Sequence, residues 1–369
     1  MRSLLARITG TPPVRVKIRP ECDYVFLRGY GEEAVGQYLR GKVTLSVRDG
    51  ESVRGVQLRL SRQISLWDHK TGSGDETKVE TSVLHEWDSF LVEGQPAEVS
   101  RTGKVYEWPF EVFIQGHQDE SFRGCVRCSN TYRLDAFTIH DDSSETLQDF
   151  IPIRIIRLPS LSAYELMDPV TEQGKWLGKV QHSVSLGHKA IALGGLIPIH
   201  AELAKIEDGV QVTKAKFCLY EHHKISDDGV PSYEGRRLVE EWPLDLINSS
   251  KRVQTWEQCL KLPKVVRKCS PDLDVCGVAI SHTLHFAVML KEGDTEAEYE
   301  TSLPITLFVS PELPINGWGA FVQEHDQIAK GAHEALSEGI QAPPRYCKID
   351  EGERRYDIIV DAPPAYSRL

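Results

Sequence analysis

Few residues of this 369-residue chain have the types and spacing that bond-making chemistry needs. Glu221, His222 and His223 form the one local cluster that resembles catalytic or metal ligands. Adjacent residues of a strand point to opposite faces, so the two imidazoles do not easily share a metal. Cys125-Val126-Arg127-Cys128 is a CxxC, and a structural zinc would need four ligands. Cys269 and Cys276 have the wrong spacing for the second pair, and a thioredoxin-like βαβ setting is absent. Buried or half-buried strand cysteines are the better reading. His282 interrupts the apolar face of Val278, Ile280, Leu284 and Phe286 and reads as a hydrogen-bonded or partly exposed histidine. There is no glycine-rich phosphate loop, no G-x-S-x-G and no H-E-x-x-H. Triads do assemble from distant positions, yet nothing here points to one. The expectation is no catalytic residue, no metal and no cofactor: not an enzyme.

Binding chemistry is better represented. Pro343-Pro344-Arg345-Tyr346 and Pro363-Pro364-Ala365-Tyr366 both read PPxY. Paired prolines pre-form a polyproline II segment, so little backbone entropy is lost on docking to an aromatic groove. One turn later the tyrosine fills a second pocket, which is the proline-rich recognition mode of WW domains. One such string is expected by chance about 0.03 times in a chain of this composition, so two together are read as WW ligands. The WW-binding residues are therefore Pro343, Pro344, Tyr346, Pro363, Pro364 and Tyr366. A flexible span between the two tyrosines has a root-mean-square length of about 22–27 Å. That reach suits two WW domains of one partner, with a gain in affinity of about 10²-fold.

A second binding pattern lies at the other end. Arg15, Lys17 and Arg19 alternate with Val14, Val16 and Ile18, which is strand period, so the three cations share one face. They form a candidate contact for anions or cargo. The plainer alternative is the solvated face of an edge strand, where basic residues discourage aggregation. Residues 1–20 hold five cations and no acid, against a net charge of −11 for the whole chain. That balance argues against a nucleic-acid partner.

Hydrophobic content of 40% and charged content of 26% describe a soluble globular protein large enough for two cores. No apolar run is long enough for a transmembrane helix, and residues 1–13 lack a secretory apolar stretch. Eight thinly spread cysteines fit a reducing cytosol and not a secreted disulfide framework.

The elements that must carry these residues are strands. Period-2 alternation recurs around 39–47, 56–66, 84–92, 105–114, 131–139 and 150–157, separated by turn residues. Residues 70–82 have no core pattern and read as a surface loop. The pattern stops over 158–175, a connector, and resumes at Val180, Leu196–Leu203, Ala215–Leu219, Val278–Leu290 and about 303–309. Gly41-Lys42-Val43-Thr44-Leu45 and Ile151-Pro152-Ile153 open and close the first half. Gly195-Leu196-Ile197-Pro198-Ile199 and Leu303-Pro304-Ile305 do the same for the second, as if one plan were used twice. The predicted organisation is all-β: a flexible start at 1–13, one sandwich over 14–157, a connector over 158–175 and a second sandwich over 176–311. A short helix (Phe321, His325, Ile328, Ala332, Leu336) then leads into a largely irregular tail within 312–369. Arg355–Val360 reads as a further strand for a sandwich edge.

In the order and spacing of short strings the chain resembles the arrestin superfamily, specifically the alpha-arrestins, or arrestin-related trafficking adaptors. Gly55-Val56-Gln57-Leu58-Arg59-Leu60, Tyr106-Glu107-Trp108-Pro109-Phe110 and Tyr132-Arg133-Leu134-Asp135-Ala136 are similar to an arrestin N-lobe. Val184-Ser185-Leu186, Gly195–Ile199, Ile280-Ser281-His282-Thr283-Leu284 and Ser302–Ile305 are similar to a C-lobe, so the likeness covers roughly residues 14–310. It implies two immunoglobulin-like β-sandwich lobes that recognise cytosolic segments of membrane transporters or receptors. The PPxY tail would recruit a WW-bearing HECT-type ubiquitin ligase, leading to cargo ubiquitination and endocytosis. The chain would be cytoplasmic, recruited to the plasma membrane or endosomes, and its own lysines would accept ubiquitin. The basic strand stands where arrestins meet phosphates or acidic cargo. The tail has two motifs where many relatives carry longer extensions with additional regulatory sites, so the resemblance does not carry over control by tail phosphorylation. An arrestin-like scaffold in receptor signalling or endosomal sorting, without ubiquitin transfer to cargo, is the alternative.

Overall fold

A computed structural model of the chain describes residues 13–67, 77–92, 96–100, 103–125, 128–141, 144–158, 168–227, 230–246, 252–263 and 268–322. Within them the protein is almost entirely β-strand. In the first half these are β1 (Val14–Pro20), β2 (Tyr24–Arg28), β3 (Gln37–Arg48), β4 (Gly55–Trp67), β5 (Thr77–Glu86), β6 (Phe90–Leu91), β7 (Glu98–Ser100), β8 (Gly103–Ile114), β9 (Phe122–Cys125), β10 (Cys128–Ile139) and β11 (Glu145–Leu158). One sheet has the order β1-β3-β8-β7 and the facing one β2-β11-β10-β4-β5, with β6 on β4 and β9 on β10. Alternate residues of the two sheets (Val16, Ile18, Leu39, Val43, Leu45, Val56, Leu58, Leu60, Leu134) bury each other as one core. This is the two-layer solution to covering one apolar face per sheet.

The second half repeats the arrangement. Its strands are β12 (Val170–Trp176), β13 (Val180–Leu186), β14 (Ala190–Ala192), β15 (Leu196–Lys205), β16 (Val210–Asp227), β17 (Val230–Leu244), β18 (Val253–Lys261), β19 (Leu273–Val275), β20 (Val278–Glu292) and β21 (Thr295–Phe308). The sheets run β12-β13-β15-β18 and β14-β21-β20-β16-β17. In each half a short strand pairs parallel with the last long one, β2 with β11 and β14 with β21. The repeated strings fall on equivalent strands: Gly41–Leu45 on β3 and Gly195–Ile199 beginning β15, Ile151–Ile155 on β11 and Leu303–Leu307 on β21. Phe217 and Phe286, with ring centroids 5.1 Å apart, centre the second core.

The lobes share apolar surface. Phe26, Ile156 and Leu158 from the first half sit in the second lobe's core. Phe122 and Cys128 join Ile225, Leu273, Val275, Val278 and Ile280 in another cluster, flanked by Leu66. Cys276 and Gly277 turn β19 into β20 with both φ values positive (53° and 75°), as a two-residue hairpin of this type requires. A side chain at Gly277 would strike the Ser226 carbonyl, so glycine is required there. The turn delivers the Cys276 thiol to the first lobe, where Arg62 donates to Sγ at 3.1 Å and the thiol approaches Asp119 at 3.3 Å. Arg62 and Asp119 also pair directly.

Three expectations are adjusted. Residues 77–82, read as loop, belong to β5, whose side chains over 78–82 are solvated on both faces and so leave no alternation to detect. Residues 170–175, read within the connector, belong to β12, an edge strand that buries Trp176 and little else. Cys22 is disulfide-bonded, unlike the free Cys218, Cys259, Cys269 and Cys276, and departs from the reduced-thiol reading. The expected helix lies outside the described residues except at its start, where Phe321 bridges to Ile315. The flexible segment 1–13 (all but its last residue) and the strand over 355–360 lie outside them as well.

Candidate functional site

Strand β1 presents the basic pattern as its alternation requires. Val16 and Ile18 are buried in the first core, while Arg15, Lys17 and Arg19 are exposed on the outer face of an edge strand. In register they lie opposite Ser46, Thr44 and Lys42 of β3. The next cations inward are neutralised: Lys42 pairs with Glu107 at 2.9 Å and Arg40 with Glu111 at 2.6 Å, both acids on β8. No such acid reaches Arg15, Lys17 or Arg19 among the described residues. The result is a row of three cations, about 7 Å apart along the strand, bordering a compensated surface. The strand's free edge is blunted: Asp149 of β11 accepts the Ile18 N–H at 2.9 Å, and Pro20 has no N–H to offer. The edge therefore offers little for strand addition, and the charged face is what β1 exposes.

The second lobe brings Glu221, His223 and His282, noted separately in the sequence, into one buried polar cluster. Glu221, on β16, is 1% exposed and faces inward with Phe217, Leu219, His223 and Ile225. Its Oε1 accepts from Arg237 Nε at 2.7 Å and lies 2.5 Å from His223 Nε2. Its Oε2 accepts the Ser270 N–H at 2.9 Å and lies 3.4 Å from Nε2 of His282, the register partner on β20. Nδ1 of His282 is 2.6 Å from Asp272 Oδ1, which also accepts the Leu307 N–H at 2.9 Å. Burial alone would raise the Glu221 carboxyl, but the donors from His223, His282, Arg237 and Ser270 outweigh it and hold the group far below the carboxylate range. Burial would lower His282, and its bonds to Asp272, Cys269 and Glu221 reverse that, so it stays protonated well above neutrality.

His222 and His223 do point to opposite faces: His222 Nε2 meets Thr283 Oγ1 at 2.7 Å, on the side away from Glu221. The informative pairing was Glu221 with His223, two residues apart and hence on one face, together with the histidine that breaks the apolar face of the neighbouring strand. Cys125 and Cys128 are backbone register partners across the β9–β10 hairpin, where Cys128 is buried. Pro343, Pro344, Tyr346, Pro363, Pro364 and Tyr366 lie outside the described residues.

Residues 176–312 match the family model of the arrestin (or S-antigen) C-terminal domain. Together with the paired sandwiches, that makes the second lobe an arrestin C-terminal domain. The chain as a whole is homologous to fungal proteins named for a ligase contact. It is 28% identical over 363 residues to the probable HECT-type ubiquitin ligase-interacting protein creD of Aspergillus fumigatus, covering 92% of this chain and 58% of that protein. The HECT-type ubiquitin ligase-interacting protein creD of Emericella nidulans is likewise 28% identical, over 92% of this chain and 59% of its own length. The Aspergillus terreus relative matches at 28%, with 61% of its length covered. The chain thus spans about three fifths of the length of these relatives.

Proposed function

We propose that this protein is an adaptor that brings a WW-domain HECT-type ubiquitin ligase to membrane transporters or receptors, promoting their ubiquitination and endocytosis. The paired PPxY strings carry the reading, since they are ligand sequences for the WW class. Likeness to proteins named as HECT ligase-interacting supports the choice of ligase type. In physical terms the adaptor supplies proximity, raising the ligase's effective concentration at a cargo it would otherwise meet rarely. The reading assigns the chain no catalysis of its own.

Cargo contact is assigned to the lobes, with Arg15, Lys17 and Arg19 as the face for acidic or phosphorylated segments. The uncompensated charge of that row supports the assignment. The chain would work in the cytoplasm and at the plasma membrane or endosomes, where such cargo is found. Ubiquitin itself becomes a covalent partner when lysines of the adaptor are modified.

In cells lacking the native chain, re-expression should restore cargo ubiquitination, and a Tyr346→Ala/Tyr366→Ala chain of equal abundance should not. Equal restoration by both would overturn the ligase-recruitment reading and favour a scaffold role.

A further inference from the structure

We propose that the second lobe binds a structural zinc ion through Glu221 Oε2, Cys269 Sγ and His282 Nε2, a site separate from any ligase or cargo surface. One ligand atom from each of the three residues lies within 4.8 Å of the other two, and the residues are 1%, 1% and 2% exposed. Zinc takes thiolate, imidazole and carboxylate ligands at about 2.0–2.3 Å, so tetrahedral ligands stand about 3.3–3.8 Å apart. The 3.4 Å between Glu221 Oε2 and His282 Nε2 is long for a charge-assisted hydrogen bond and matches that ligand-to-ligand span.

The surroundings are organised as a metal's outer layer. Asp272 holds His282 through Nδ1, which turns Nε2 toward the cluster, the carboxylate–histidine arrangement that orients zinc ligands. Asp272 is itself held by the Leu307 N–H. Arg237 grips Oε1, the carboxylate oxygen that the metal does not need, at 2.7 Å. Ser270 N–H fixes Oε2, and its neighbour Cys269 thereby hangs over the β16–β20 pair. A water would take the fourth position, since His223 stands against the other carboxylate oxygen, Oε1.

Charge also balances. Zinc replaces the proton on Cys269 Sγ and the one on His282 Nε2, and both leave to solvent. The ion's two positive charges then meet one thiolate and one carboxylate, with Arg237 and Asp272 offsetting each other outside. A buried ion requires such compensation. No local motif spells the site, because its ligands come one from each of two strands and one from the segment before β19.

The test uses the full chain, reduced and stripped with a chelator, then titrated with cobalt(II) chloride and afterwards zinc chloride. One equivalent of cobalt should bind with a thiolate-to-cobalt charge-transfer band and tetrahedral visible absorption, and zinc should displace it. Cys269→Ala, checked as folded by circular dichroism, should lose the charge-transfer band. Asp272→Asn should weaken binding about 10–100-fold, while Cys259→Ala, at an exposed thiol, should leave it unchanged. Less than stoichiometric binding by the wild-type chain, or a band that survives in folded Cys269→Ala, would overturn the proposal. The wild-type titration decides the matter even if the variant does not fold.

Discussion

Two buried acids in this protein have opposite fates, decided by their donors. Glu221 is surrounded by four and stays ionised. Removing the arginine among them, as in Arg237→Met, leaves a buried carboxylate short of a cation and should cost on the order of 2–4 kcal/mol by urea denaturation. Glu120, 6% exposed beside the lobe boundary, is instead pushed up from 4.5 to about 7 by burial, with Arg157 and Arg154 pulling only partly the other way. An acid with a raised folded pKa binds more protons in the folded state than in the unfolded one between those two values. Stability should therefore fall as pH rises from about 4.5 through about 7, by at most about 3 kcal/mol. Glu120→Gln should flatten that slope, and thermal melts from pH 5 to pH 8 would show it. An unchanged slope would place the titration elsewhere. None of this was legible in the sequence, because both environments are made by residues far away in the chain. The Glu221 cluster draws on positions 221 and 223, 237, the run 269, 270 and 272, and 282, four stretches well apart in the chain.

At the scale of elements, alternation was the readable signal wherever a strand has one dry face. β1, β3, β4, β10 and β20 all show it, and their buried sets follow the apolar positions. It failed for β5 and β12, which lie at sheet edges and bury little, and for the first half of β21. β1 separates the two kinds of residue cleanly enough to predict from. Replacing Arg15, Lys17 and Arg19 together by serine should change stability by about 1 kcal/mol or less, since each side chain is exposed. Ile18→Ala, at a position 2% exposed in the first core, should cost about 2–4 kcal/mol. The triple-serine chain should also lose salt-sensitive binding to a phosphorylated acidic peptide. Retained binding would return the row to the role of an edge-strand guard.

For the whole molecule, two lobes were legible from the repeated strings, but their union was not. Phe26, Ile156 and Leu158 leave the first lobe's strands and enter the second lobe's core, a contact that no local pattern announces. The parallel pairings of β2 with β11 and β14 with β21 were equally hidden, because their partners are more than a hundred residues apart. A shared core of this kind couples the lobes, so the full chain should unfold in one calorimetric transition. Phe26→Ala should lower stability by about 3–5 kcal/mol and split that transition in two. Two transitions in the wild type would mean that the shared cluster does not couple them.

The adaptor reading stands or falls on its link to the ligase. That link is measured most directly by calorimetric titration of WW domains into the full chain and into its Tyr346→Ala/Tyr366→Ala variant. Removing both rings empties the tyrosine pocket while the prolines stay in place. The account predicts micromolar binding by the wild-type chain, tighter to a tandem of WW domains than to one, and no binding by the variant. Equal binding by the two chains, or none by either, would contradict it.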